Sequence, residues 1–376
     1  MYKIMLYLLL LGLHLLSQVV CTRILKINEK KEIIRIIQFA DLHFGENLYK
    51  DKLTLQLMNS VIKNESPDFA VFSGDQISGY EVFSLKEKLL LWEKALSIVS
   101  KYRIPFATIF GNHDDQPYQL DLLLWNTWAY YVLYIEFLVC IVLFAFMRKK
   151  RKDLCLKSIF FFMIFILIGC IYVSTPSTNV RLALITHEHQ KYPTLSYTDI
   201  GPENVNGISN YRVILKSKLT GRSVSLFFID SGGGMIENKI HPNQLQWLNT
   251  FQTETIENSL AFIHVAPIQY HSMYFTHKCK GKHPKESTSK CPGSERLLNT
   301  LYSIGVRALF VGHDHGNEWC CNKDNMLLCY GKHSGFGGYD FNETNRGVRI
   351  IDVNVSSGSF TTWISLWDSI SDLRLI

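Results

Sequence analysis

The chain has 376 residues, a hydrophobic content of 47% and a formal net charge of +6. That length allows one large domain or two ordinary ones. Five of the net positive charges sit in the single run Arg148-Lys149-Lys150-Arg151-Lys152. With that run set aside no basic face remains, which excludes nucleic acid as a partner.

The apolar residues are unevenly spread. Residues 1–21 have Lys3, an apolar core from Ile4 to Leu16 and Cys21, the layout of a signal peptide cleaved after Cys21, with an uncleaved anchor as the alternative. Either reading sends the chain into the secretory pathway. The sequons at Asn64, Asn342 and Asn354 add modest weight as glycosylation candidates. Ile33 to Phe39 is β-branched and bounded by charge, which predicts a strand ending at Asp41-Leu42-His43. Leu53, Leu57 and Val61 set a helical period over Asp51 to Asn64. Asp68 to Ser73 reads as a strand ending at Gly74-Asp75, and Ser84 with Glu87 caps a helix running to about Tyr102. Ile104 to Phe110 is a third strand, ending at Gly111-Asn112-His113.

Two nearly pure apolar blocks follow, 122–147 and 158–173, on either side of the basic run. The globular pattern resumes near Asn179. Strands are expected at Val213–Lys216, Val224–Ile229, Ala261–Val265, Met326–Tyr330, Val348–Val353 and Phe360–Ile364. Helices are expected at Gln244–Glu257 and Glu295–Ser303. An apolar run, Ala308 to Val311, reads as a buried strand delivering Gly312-His313-Asp314-His315. Histidines spaced by one residue in an extended segment point to the same side, which suits a transition-metal site.

Of the nine cysteines, Cys279, Cys291, Cys320, Cys321 and Cys329 cluster late in the chain. An oxidising lumen would pair Cys279 with Cys291, and Cys329 with Cys320 or Cys321. A structural zinc site is the rival, and the spacing matches no zinc module well.

Each polar residue at a strand end has an ordinary reading when taken alone. Asp41 and Asp75 would be turn aspartates, Asn112 a turn asparagine and His264 a satisfied core histidine. Their succession at strand ends, where α/β sheets place their sites, favours a metal centre. His271, His277 and His283 read as plain loop residues, and His333 is a guess at a substrate contact.

In order, the blocks are Asp41-x-His43, Gly74-Asp75, Gly111-Asn112-His113, His264 and Gly312-His313-Asp314-His315. This series resembles the calcineurin-like metallophosphoesterases over about residues 33–116 and 180–365. It is most similar to their branch of fungal and plant purple-acid-phosphatase-like proteins. The finer likeness lies in Gly207-Ile208-Ser209-Asn210-Tyr211, Asn243 to Leu248 and the run from Gly312 to Cys320.

An inserted apolar helical hairpin over 117–176, which such relatives do not usually carry, would divide the domain into two parts, 22–116 and 177–376. The resemblance implies an α/β sandwich of two mixed sheets flanked by helices (αββα). It implies two transition-metal ions, iron, manganese or zinc. Asp75 would bridge them, Asp41, His43 and His315 would complete one site, and Asn112, His264 and His313 the other. Water acidified between the metals would attack phosphorus, with His113 as general acid to the leaving group. The expected activity is phosphomonoester hydrolysis, with phosphodiester or pyrophosphate hydrolysis on nucleotide or lipid head-group substrates as the alternative. The substrate would be a phosphorylated small molecule or a phosphoprotein. An inactive membrane-bound binding protein is the reading of another class. One departure stands out: purple acid phosphatases carry a tyrosine ligand three residues after the bridging aspartate, and here that residue is Ser78.

Segments 122–147 and 158–173 suit a membrane pair. An even number of spans would return the chain to the same side and leave the basic loop in the cytoplasm. The enzyme would then be membrane-bound with its catalytic part lumenal or extracellular. The competing reading is non-coding sequence retained in frame by a wrong gene model, which would make the protein secreted.

Overall fold

A computed structural model describes residues 22–26, 31–117, 177–252, 259–271, 273–282, 284–341, 345–367 and 370–375. The proposed signal peptide (1–21), both apolar blocks of the insertion, His283 and Asn342 lie outside the described residues.

Two sheets form the interior. The six-stranded sheet has the order β14 (Ile370–Leu375), β13 (Phe360–Leu366), β12 (Gly347–Asn354), β2 (Ile33–Phe39), β3 (Phe69–Ser73), β4 (Phe106–Ile109). The eight-stranded sheet has the order β1 (Thr22–Lys26), β5 (Tyr211–Lys216), β6 (Ser223–Ile229), β7 (Ser259–Ile263), β9 (Val306–Val311), β11 (Met326–Tyr330), β10 (Cys320–Lys323), β8 (Cys279–Lys280).

Alternation along the strands builds the layers, because successive side chains face opposite sides of a sheet. Ile34 and Ile36, Phe69 and Val71, and Ala107 and Ile109 turn inward against Val213, Leu226, Phe262 and Phe310 of the other sheet. Their neighbours Ile37, Phe39, Ala70 and Phe72 turn outward, under three helices: α1 (Leu48–Glu65), α2 (Leu85–Lys101) and α3 (Ser177–Lys191). The outer face of the larger sheet is covered by α4 (Pro242–Asn249) and α5 (Leu297–Ser303). The result is the expected four-layer αββα sandwich.

β2, β3 and β4 run parallel, as do β6, β7, β9 and β11. The C-terminal ends of five strands carrying polar motifs therefore gather along one edge of the sandwich. Both long helices are capped as their sequences require. The Asn47 side chain accepts from the Tyr49 and Lys50 amides, and Ser84 accepts from the Glu87 amide.

The helix expected over Gln244–Glu257 stops at Asn249. Thr250 Oγ1 donates to the Trp247 carbonyl at 2.7 Å, a side-chain bond that competes with helix continuation. Four short or peripheral strands (β1, β8, β10 and β14) and the helix α3 were not predicted.

The cysteine pairing needs one correction. Cys279 is bonded to Cys321, not to Cys291, and Cys320 is bonded to Cys329. The reason is strand register. β10 lies between β11 and β8, placing Cys320 opposite Cys329 and Cys321 opposite Cys279. Cys320 and Cys321 face opposite sides of their strand, so each finds a partner on a different neighbour. Cys291 is buried and free. Two disulfides among the described residues fit an oxidising compartment.

Candidate dinuclear metal centre

The site is built from turns that follow the strands. Beyond β2 the chain keeps running beside the extension of β3, with the Asp41 amide donating to the Gly74 carbonyl (3.1 Å) and the His43 amide to the Asp75 carbonyl (3.0 Å). Asp41, His43, Asp75 and His313 all have positive φ, between 50° and 71°. Non-glycine residues are held there only when their surroundings demand it, at roughly 1–3 kcal/mol each, and such strain gathers at functional sites. The turns also need glycine. A Cβ on Gly74 would lie 2.2 Å from His264 Nδ1, and one on Gly111 would lie 2.1 Å from Asp75 Oδ1.

Two clusters result. Asp41, His43 and His315 form one; Asp75, His264 and His313 form the other. Within each, one ligand atom per residue lies within 4.8 Å of the rest, as a metal ion would require. The two histidines of the Gly-His-Asp-His run thus part company. The positive φ of His313 breaks the extended geometry assumed from sequence, so their rings serve neighbouring clusters rather than one face. Asn112 joins the second cluster, its Oδ1 lying 3.2 Å from His264 Nε2.

The two imidazoles of the first cluster fit a cation because their ring nitrogens face one another without a proton between them. His43 Nδ1 lies 2.9 Å from Ser78 Oγ, whose own hydrogen goes to Glu46 Oε1. That bond requires the proton on Nδ1 and leaves Nε2 bare. His315 Nδ1 donates to the Tyr339 carbonyl at 2.8 Å, so its Nε2 is bare too. The two bare nitrogens are 3.2 Å apart. In the second cluster His264 Nδ1 donates to the Ser73 carbonyl (2.9 Å), aiming Nε2 at Asn112 Oδ1 and at Asp75 Oδ2, 3.2 Å away. Asp75 Oδ2 and His313 Nδ1 are buried and have no hydrogen-bond partner. Asp75 Oδ2 also lies 3.8 Å from His43 Nε2, so this orphaned oxygen stands between the clusters. Buried acceptors are not left facing one another unless a cation or proton intervenes.

The electrostatics agree. Burial holds His43 well below the usual imidazole range, lowers His313 to about 4 and lowers His315 to about 3. These are neutral imidazoles, the form that binds metal. Burial, with Asp75 adding to it, raises Asp41 to about 8. Burial opposes charge on His264 and on Asp75 as well. Their mutual attraction outweighs it, raising His264 to about 10 and holding Asp75 well below the carboxylate range. A proton on His264 thus does in the metal-free protein what a cation would do in the loaded one.

His113 stands apart. Its amide donates to Asp75 Oδ1 at 2.7 Å and its Nδ1 is bonded to Gln116 Oε1 at 2.7 Å. Its Nε2 lies 3.9 Å from Asp75 Oδ2, on a side chain 23% exposed. It belongs to neither cluster and is partly exposed.

Residues that the sequence did not single out hold these groups in place. Asp114 accepts from the Asp75, Ile77 and Gly111 amides (3.0, 3.0 and 2.7 Å), tying two strand-end turns together. Behind Asn112, the fully buried Arg181 bonds Asp115 (2.8 Å), both oxygens of Asp230 (2.8 and 2.9 Å), and the carbonyls of Gly111 and Gly233. Arg181 and Asp115 are 66 residues apart in sequence and meet in this cluster. The second aspartate of Asn112-His113-Asp114-Asp115 was the available signal, but its partners come from distant sequence. His333 is buried, clasped by Arg346 and the Gly337 carbonyl, with its ring 3.8 Å from that of His315. It backs a cluster rather than reaching toward substrate. His271 and His277 are in neither cluster. Asn64 is exposed, whereas the Asn354 Oδ1 caps the amides of Ser356 and Ser357.

A model of the calcineurin-like phosphoesterases matches residues 34–164. An Arabidopsis thaliana protein named probable inactive purple acid phosphatase 28 is 25% identical over 90% of this chain and 80% of its own length. Phosphatase DCR2 of Saccharomyces cerevisiae is 24% identical over 88% of this chain, which spans 53% of that protein. Among solved structures, a dimetal phosphatase from Danio rerio shares the fold, with a TM-score of 0.51 at 11% identity, covering 91% of this chain and 98% of that one.

Proposed function

We propose that this chain, whose residues 34–164 match the calcineurin-like phosphoesterases, is a phosphomonoesterase working with two transition-metal ions. The observation that carries this reading is the convergence of His43 Nε2 and His264 Nε2 on the buried Asp75 Oδ2, with the bare His315 Nε2 3.2 Å from that of His43. Asp41, His43 and His315 would hold one ion, Asn112, His264 and His313 the other, and Asp75 both. When bound, such a pair supplies an ionised water and neutralises charge building on the phosphoryl oxygens. The mixed nitrogen and oxygen donors suit iron, manganese or zinc.

The chain's own residues do the rest. Ser78, Tyr339 and the Ser73 carbonyl fix the ring orientations, so no imidazole must turn for the ions to enter, and an ion in the second cluster would displace the proton that His264 shares with Asp75. His113, anchored through Nδ1 to Gln116 and through its backbone to Asp75, is partly exposed and holds Nε2 3.9 Å from Asp75 Oδ2. Protonated there, it would pass that proton to the departing alkoxide.

Two relatives carry the word inactive in their names, which raises the reading of a catalytically silent binding protein. What supports an active enzyme is that all seven ligand positions and His113 are occupied by competent residues. Comparing release from an aryl phosphate and from its diester, with manganese, zinc or iron supplied, tests the choice. A faster diester would favour the phosphodiesterase reading, and no turnover of either would favour the silent one.

No helix among the described residues is long and apolar enough to cross a membrane. The membrane-hairpin reading of 122–147 and 158–173 stays a proposal. The adjacency of Asp115 and Arg181 supports a closed excursion, and alkaline carbonate extraction of the expressed full chain tests it. Release into the soluble fraction would remove the hairpin.

A further inference from the structure

We propose that Glu46 is the positioning residue for one metal site alone, orienting both imidazoles of the Asp41–His43–His315 cluster through two separate arms. The inference rests on the dinuclear reading above. Glu46 lies between β2 and α1, with its side chain 14% exposed, and neither the motif blocks nor the candidate ligand groups include it.

The first arm runs through Ser78. Its hydroxyl donates to Glu46 Oε1 at 2.8 Å and lies 2.9 Å from His43 Nδ1. A hydroxyl has one hydrogen, and an ionised carboxylate only accepts. The serine can therefore only accept from His43, which pins the proton to Nδ1 and turns Nε2 toward the cluster. The second arm runs through the loop after His333. The Gly338 amide donates to the same Oε1 at 2.8 Å, and the next carbonyl, that of Tyr339, accepts from His315 Nδ1 at 2.8 Å. The Tyr339 ring stacks on His315 with an interplanar angle of 4°. Gly338 is wedged between both imidazoles: a Cβ there would lie 2.6 Å from His315 Cε1 and 2.8 Å from His43 Cδ2.

Tyr80 Oη, 2.9 Å from Oε1, and Lys50 Nζ, 3.2 Å from Oε2, hold the carboxylate itself. The serine at this position thus does not leave a gap in the site. It relays a carboxylate to a histidine, the kind of support that sets ligand basicity and orientation around a bound metal. The His264 cluster takes its orientation from the Ser73 carbonyl instead, so the two sites have separate supports.

The test is zinc binding to the chelator-stripped full chain, read by calorimetric titration and by metal content after dialysis, with the metal-free melting temperature as the folding check. The wild type is expected to hold two ions. Glu46→Ala and Ser78→Ala are expected to keep one at wild-type affinity while the other weakens about 10- to 100-fold. Glu46→Gln, whose amide oxygen still accepts from Ser78 and Gly338, should stay within a few-fold of wild type. Ser78→Ala removes one atom from a small side chain, so the question stays open to measurement even if Glu46→Ala folds poorly. Two unchanged sites in both alanine variants, or two sites weakened together, would overturn the proposal. A wild type holding fewer than two ions would overturn the dinuclear reading and this inference with it.

Discussion

Replacing Arg181 by leucine tests whether the hidden ion cluster behind Asn112 is a structural necessity. The guanidinium, Asp115 and Asp230 have no exposed side-chain surface. Removing the cation leaves two buried carboxylates facing each other, and losing one partner of a buried pair typically destabilises by roughly 3–5 kcal/mol. With two carboxylates stranded we expect the upper part of that range. For a chain of this size it corresponds to a fall of roughly 6 °C in melting temperature. The loss should depend on pH. Burial already holds the Asp115 carboxyl above its ordinary range, against the pull of Arg181. Without Arg181 that folded-state pKa rises further above the unfolded value. The penalty is then full where the folded carboxyl must ionise, above its raised pKa. It shrinks as pH falls toward the unfolded value, where both states are protonated. Melting the metal-stripped variant and wild type at pH 8 and at pH 5 reads this directly. Adding Asp115→Asn and Asp230→Asn to the variant should recover part of the loss at pH 8. A deficit below about 1 kcal/mol, or one equal at both pH values, would refute the reasoning.

Other outcomes follow from the same geometry. His113→Ala should lower kcat by roughly 10²–10⁴-fold while leaving metal content intact, and alkyl phosphates should suffer more than nitrophenyl phosphate; equal losses for both leaving groups would count against a proton donor. Peptide mapping without reduction should recover Cys279 joined to Cys321 and Cys320 joined to Cys329, with Cys291 alkylated only after unfolding. Given sequence separations of 42 and 9 residues, removing the first bridge should cost about 4 kcal/mol and the second about 2.6 kcal/mol on the loop-entropy model. Gly74→Ala should cost more than about 2 kcal/mol, since its Cβ would overlap the His264 ring at a positive φ; a neutral melt would show that the turn can yield.

What could be read from the chain was local or repeated. Ile33–Phe39 is rich in β-branched residues and bounded by charge, and it forms a strand with those bounds. Ser84 with Glu87 marks the start of its helix. The ligand candidates were legible because each lies at the end of a strand and, His264 apart, brings a glycine or a second metal-type donor with it. The supports were not legible, since nothing local marks them. Glu46 looks like a surface glutamate before a helix until Ser78 and Gly338 close on it. Arg181 and Asp115 are 66 residues apart, and only the folded chain shows that they touch. The Cys279–Cys291 expectation failed for the same reason. Proximity in sequence suggested the pair, whereas strand register placed Cys279 opposite Cys321. The Gly-His-Asp-His run misled in a smaller way, because an extended reading has no means of foreseeing a positive φ at His313.

The most direct measurement is phosphate release from an aryl phosphate as metal is returned stepwise to the chelator-stripped chain, for the wild type and for Asp75→Asn. Two ions sharing Asp75 require turnover that is absent without metal, levels off at two equivalents per chain and falls by orders of magnitude in the variant. Turnover indifferent to chelation, or undiminished in Asp75→Asn, would contradict the account.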